Sequence, residues 1–158
     1  MIHEIVICAN IFIRKDGKYL LLKRADDKSF APFVHPFGRV EQDENPFEAA
    51  EREIQEEVIT VKNIKLEAVI TELQPNKDKK ENRMIFHFSA DYDSGEIKEI
   101  DLKDGSAIYL EKDKISQKLF PSVKAIIDDL LDEGKETVFT TMSYAGEESA
   151  KVERKDIA

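Results

Sequence analysis

Gly38-Arg39-Val40-Glu41-Gln42-Asp43-Glu44-Asn45-Pro46-Phe47-Glu48-Ala49-Ala50-Glu51-Arg52-Glu53-Ile54-Gln55-Glu56-Glu57 is the most informative run of the chain. Asn45 is a good N-cap, Pro46 suits the first helical position, and Glu48 lies three residues after the cap. The spacing predicts a helix from Pro46 to Val58, ending at the β-branched run Val58-Ile59-Thr60-Val61. On a helical wheel Phe47, Ile54 and Val58 form the expected core stripe. Glu53, Glu56 and Glu57 fall on another face, with only Ala49 and Ala50 beside them. That grouping is costly. Like charges at i, i+4 disfavour a helix by roughly 0.2–0.5 kcal/mol per pair. Acidic groups in the last turn oppose the helix dipole by roughly 0.3–1 kcal/mol each. A hard divalent cation would remove both penalties, and clustered carboxylates suit magnesium or manganese. On the helix alone, the pattern also fits a solvated acidic face.

Working outward, residues 4 to 13 are rich in Ile, Val and Phe and read as a strand. Asp16-Gly17 is a hairpin signal, and Tyr19 to Lys23 is the return strand. Residues 25 to 36 read as a loop. Beyond the helix, residues 64 to 73 and Met84 to Tyr92 read as strands around a polar loop, Gln74 to Asn82. At period two, Met84, Phe86 and Phe88 share one face, and Ile85, His87 and Ser89 the other. Ala107 to Leu110 is a short strand and Pro121 to Leu131 a second amphipathic helix, ending near Gly134. The expected organisation is one α+β domain over residues 1–134. Residues 135–158 are expected as an extension, with Val138 to Met142 an edge strand and the rest a mobile tail.

The 158 residues are 36% charged and 41% hydrophobic, one domain's worth of chain with a heavily charged surface. With 24 Lys and Arg against 33 Asp and Glu, the net charge is −9. Such a surface repels phosphate backbones and anionic lipid, which argues against nucleic-acid polymers and membranes as partners. A single cysteine, Cys8, excludes an intrachain disulfide and a cysteine zinc cluster. No run approaches the ~20 apolar residues of a membrane span. Met1-Ile2-His3-Glu4 lacks a basic start, so a cytoplasmic location is expected.

The same run resembles the Nudix box, G-x5-E-x7-R-E-U-x-E-E-x-G-U with U an apolar residue. Gly38, Glu44, Arg52, Glu53, Ile54, Glu56 and Glu57 fall at the family's spacing. Three positions depart from it. Phe37 replaces the first of the usual paired glycines, Ile59 stands for the family's Gly, and Thr60 for an apolar residue. That Gly would end the helix in a left-handed turn, which a β-branched residue does poorly. None of the lost positions carries a reacting side chain.

The resemblance implies an α/β/α sandwich with a central mixed sheet, and metal-dependent hydrolysis of a diphosphate linked to another moiety. It implies Glu53, Glu56 and Glu57 as ligands to Mg2+ or Mn2+, joined by the backbone carbonyl of Phe37. Glu53 or Glu57 would also lie near the attacking water. Arg52 would orient Glu53 or pair with Glu44. Arg24, ending Leu20-Leu21-Leu22-Lys23-Arg24, and Gly38 are the expected substrate contacts. Asp104 and Glu99 are the leading candidates for an additional acid, ahead of Glu96 and Asp101. His35 and His87 read as structural, and Phe30 and Phe33 as packing residues.

The substrate is less determined. The residues after the box contain no Tyr between 61 and 91, unlike dinucleoside polyphosphate hydrolases of the family. Pro75, about fifteen residues past the box, is similar to an ADP-ribose class cue and also makes an ordinary turn. The Leu-rich strand before Arg24 is similar to that of mutator-type hydrolases. A nucleoside triphosphate is the favoured expectation, with ADP-ribose or a nucleotide sugar as alternative. A related isomerase needs a site cysteine, which Cys8 does not match. A non-catalytic nucleotide sensor or partner-binding module is the reading from another class. A homodimer is a further expectation, with no interface marked by the sequence.

Overall fold

The computed structural model describes residues 4–23, 33–34, 36–56, 59–73, 81–95, 107–115, 119–132, 134–146 and 149–158. Of these, the side chains of residues 23, 33, 34, 56, 81, 107, 145, 146 and 149 lie outside the description. The chain opens with β1 (Glu4–Lys15) and β2 (Lys18–Lys23). Asp16 and Gly17 both take positive φ, 50° and 73°, the conformation of a tight hairpin turn. Two short strands follow, β3 (Phe33–Val34) and β4 (Phe37–Arg39), and then helix α1 (Pro46–Glu56). The long hairpin of β5 (Ile59–Leu73) and β6 (Glu81–Gly95) leads to β7 (Ala107–Glu111). The short helices α2 (Lys112–Ile115), α3 (Pro121–Ala125) and α4 (Ile127–Leu131) come next, then β8 (Val138–Gly146) and β9 (Ser149–Ile157).

Among the described residues these strands form one nine-stranded sheet in the order β3-β2-β1-β6-β5-β8-β9, with β4 beside β1 and β7 beside β2. β1 runs parallel to β6 and β5 parallel to β8; the remaining ladders are antiparallel. The sheet is therefore mixed, as expected. Residues 8 to 13 are all buried because helices cover both faces of β1. On one face Ala9, Ile11 and Ile13 meet Ala49, Ala50 and Ile54 of α1. On the other, Cys8 and Phe12 meet Val123, Ile127 and Leu130 of α3 and α4. These two cores make the expected α/β/α layering of an α+β Nudix-like sandwich.

Several elements differ from expectation. The buried stripe of α1 is Ala49, Ala50 and Ile54, whereas Phe47 is 41% exposed and meets the Phe88 ring in a T-shaped contact. Small residues let the helix axis approach the sheet, and the bulky Phe47 is displaced to the rim. Ile59 begins a strand and pairs with Gly95, so no left-handed helix exit is made there. Polar Thr60, Lys62 and Asn63 conceal this strand from a periodicity count, because β5 is bulged here and Asn63 turns at φ 55°. The late helix is two pieces, broken at Ile126 (φ −127°, ψ 17°). The segment expected as a mobile tail is instead β9, antiparallel to β8, and β8 is an internal strand joined to β5. Charged residues dominate β9, with Glu153-Arg154-Lys155-Asp156 in succession, and Lys151–Glu153 and Arg154–Asp156 pair within it.

Candidate active site

The loop into α1 is held by its own side chains. Asn45 Oδ1 accepts from the backbone N–H of Phe47 (2.9 Å) and Glu48 (3.1 Å). Glu48 returns the contact by accepting from Asn45 N–H at 2.8 Å. This capping box satisfies N–H groups that the first turn leaves open. Upstream, Glu44 accepts from Glu41 N–H at 2.7 Å and so closes a turn that includes Asp43 at φ 68°.

Arg52 projects back from α1 onto this turn. Its Nη2 and Nε donate to the two oxygens of Glu44 at 2.7 and 3.1 Å. Nη1 donates to Glu53 Oε1 at 2.7 Å, and Nη2 to the carbonyl of Arg39 at 3.0 Å. One planar guanidinium thus ties helix, turn and β4 together. The Arg52 bond, followed by the Glu41 N–H, holds the Glu44 carboxyl below the usual range. Glu44 and Glu53, foremost the former, raise the Arg52 pKa further still.

Gly38 explains how Glu53 lies so near the strand. A Cβ at Gly38 would overlap the Glu53 carboxylate and stand 3.1 Å from its Cγ. β4 is bonded to β1 through Ile11 N–H to Pro36 O (3.0 Å) and Val40 N–H to Ile7 O (2.9 Å). Alternation along an antiparallel ladder then points the carbonyls of Phe37 and Arg39 away from β1. The Arg39 carbonyl goes to Arg52. That of Phe37 points to the same side.

Beyond α1, the face of the sheet that carries Glu53 is an apolar shelf. The register aligns Ala9, Phe86, Val69 and Phe139 in one row, and Ile7, Met84, Thr71 and Thr141 in the next. Ile7 and Phe139 are each 42% exposed. Met84 and Phe86 lie on it as period two predicts. Phe139 and Thr141 join the shelf through β8, which the sequence marks only as an edge and which lies between β5 and β9. His87 lies on the opposite face, fully buried and stacked on Phe12 at 6.4 Å, in keeping with a structural role.

Arg24, His35, Phe30, Glu57, Glu96, Glu99, Asp101 and Asp104 lie outside the described residues, as do the side chains of Glu56 and Phe33. Among the described residues no three Asp, Glu, His or Cys converge as a metal site. Of the expected constellation, the described part brings together Gly38, Glu44, Arg52 and Glu53.

The NUDIX domain profile matches residues 3–130. The chain belongs to the Nudix family. Nudix proteins act on small nucleotide-type substrates and generally use divalent metal ions, and membership makes this chain a hydrolase of phosphoric anhydride bonds. Among solved structures, the mutator MutT protein from Bacillus halodurans is similar at TM-score 0.77 and 22% identity, over 96% of this chain and 97% of that one. A MutT Nudix hydrolase from Burkholderia pseudomallei is similar at TM-score 0.65 and 21% identity, over 80% and 98%. A Nudix hydrolase from Nitrosomonas europaea is similar at TM-score 0.63 and 22% identity, over 80% and 88%. At these identities the likeness is one of fold. No curated protein matches the chain. No described helix is long and apolar enough to cross a membrane.

Proposed function

We propose that this Nudix protein is a metal-dependent pyrophosphohydrolase of nucleoside triphosphates, releasing a nucleoside monophosphate and pyrophosphate. The observation that carries this reading is the Glu53 carboxylate, seated on Gly38 and gripped by Arg52, at the margin of an apolar shelf. A flat base needs such a shelf; a diphosphate needs the carboxylate edge beside it.

The donor set fits a hard divalent ion. Glu56 and Glu57 follow Glu53 by three and four residues in the sequence, and the Phe37 carbonyl, like that of Arg39, points away from the β1 ladder. We assign these four groups to Mg2+, with Mn2+ as the substitute. When bound, such an ion neutralises the diphosphate and makes water a stronger nucleophile. Glu53 or Glu57 accepts the proton of the attacking water. Arg52 keeps Glu53 in one orientation, so its work is positioning. Arg24 contacts the phosphates, joined by the backbone of Gly38. Asp104 or Glu99 supplies any additional acid.

The test is a hydrolysis screen with and without Mg2+, on nucleoside triphosphates, ADP-ribose, nucleotide sugars and dinucleotides. The Glu56→Gln and Glu57→Gln variants run in parallel. The expected result is monophosphate plus pyrophosphate, lost by orders of magnitude in both variants. Two phosphomonoesters as products would move the substrate to ADP-ribose or a nucleotide sugar. Tight nucleotide binding with no turnover would instead make the protein a sensor.

A further inference from the structure

Among the described residues the sheet ends at β9, with no strand beyond it. Ala158 N–H donates to the Thr137 carbonyl at 3.0 Å. Alternation from that bond turns the backbone groups of Lys155 and Ile157 away from β8. Between Arg154, opposite Thr141, and Val152, opposite Met142, the strand carries one extra residue, Glu153. This bulge restores the alternation on its far side, so Val152 and Ala150 also present their backbone outward. The outward positions are therefore symmetric about the bulge: Ala150 and Val152 on one side, Lys155 and Ile157 on the other.

The side chains share this symmetry. On the shelf side of the sheet the strand carries Lys151, Glu153, Arg154 and Asp156 in order. On the other side lie Ala150, Val152, Lys155 and Ile157. Val152 (37% exposed) and Ile157 (63%) are the apolar residues this edge leaves open.

We propose that β9 pairs antiparallel with β9 of a second copy of this chain, about a twofold axis at the bulge, making one sheet continuous through a homodimer. Each outward backbone position then meets an outward one: Val152 faces Lys155 of the copy, and Ala150 faces Ile157. Lys151 comes opposite Asp156 of the copy, and the Glu153–Arg154 pair opposite its own reverse. The charges already paired along the strand, Lys151–Glu153 at 3.2 Å and Arg154–Asp156 at 2.7 Å, gain partners across the seam. Val152 and Ile157 become diagonal neighbours in an apolar strip with Ala150. Sliding the pairing by one residue would set the charged side against the apolar side, so the register is specified.

Sedimentation velocity over a concentration series tests this, with far-UV circular dichroism on each variant. The unmodified chain is expected to dimerise, and more weakly in high salt. Lys151→Glu or Asp156→Lys alone places like charges opposite each other and should weaken the dimer about tenfold or more. The Lys151→Glu/Asp156→Lys double variant should recover it. Val152→Pro removes an outward N–H that the β8 ladder does not use, and should give a folded monomer. A chain that is monomeric at every concentration would overturn the proposal. So would a dimer indifferent to the single charge reversals, or one that the double variant fails to rescue. Because the charge variants alter only exposed side chains, they decide the matter even if Val152→Pro unfolds.

Discussion

Gly38 matters for what it lacks. The Glu53 carboxylate occupies the space where any other residue would place its Cβ. Gly38→Ala must push that carboxylate away, and Arg52 would follow it or lose it. The displaced group is the end of a flexible side chain, so the fold has little reason to suffer. A displacement on the order of 1 Å in a reacting group can lower turnover about 100-fold. We therefore expect Gly38→Ala to lose hydrolysis on that scale while Tm moves little, read by kcat/KM and a thermal melt on the same preparation. Unchanged turnover would remove Glu53 from the reaction. Arg52 meets both partners that its place in the sequence suggests: its guanidinium is spent on Glu44, Glu53 and a carbonyl of β4.

Helix α1 was legible because its start is written in local chemistry. Asn45, Pro46 and Glu48 act within one turn, and the capping box they form needs no tertiary contact. Asn45→Ala should cost about 1 kcal/mol, lowering Tm by roughly 2–4 °C in a domain of this size. Turnover at saturating substrate should persist, since the cap lies at the opposite end of α1 from Glu56. The Asp16-Gly17 hairpin was legible for the same reason. What escaped the sequence depends on partners distant along the chain. Phe47 has the wheel position of a core residue, but Ala49 and Ala50 take the sheet contact. The start of β5 is hidden by bulges that only its pairing with β6 explains. β9 has the composition of a solvated tail and becomes a strand because β8 offers it a ladder. Spacing alone marks the box residues, whereas the shelf beside them is marked only in part, since Phe139 and Thr141 reach it through a strand contributed late in the chain.

At the scale of the molecule, one polar tie joins the central strands. Asp91 of β6 accepts from Arg14 of β1 at 2.6 Å and from Asn63 in the bulged part of β5 at 2.9 Å. The Asn63 amide, then Arg14, holds the Asp91 carboxyl below the usual Asp range. A depressed folded-state value means the stabilisation is complete above the ordinary Asp pKa of about 3.9 and is lost as pH falls through the lower folded value. Asp91→Asn should accordingly lower Tm near neutral pH and flatten its fall in acid. The comparison is a set of melts from pH ~6 to ~2, spanning the carboxylate range. Some acid slope should remain, because Glu44, Asp132 and Glu153 are depressed as well. The strand order has a further consequence, for the route by which the chain reaches its structure. β1–β2, β5–β6 and β8–β9 are neighbours in sequence and can zip as separate hairpins. The ladders that join them, β1 to β6 and β5 to β8, are parallel and bring together residues far apart in the chain, as in Cys8 with Ile85 and Ala68 with Val138. Loop closure on that scale is slow compared with hairpin formation. The halves of the shelf therefore come from units that meet late in folding, and a nascent chain has no complete shelf beside Glu53 until its last hairpin has been made and docked.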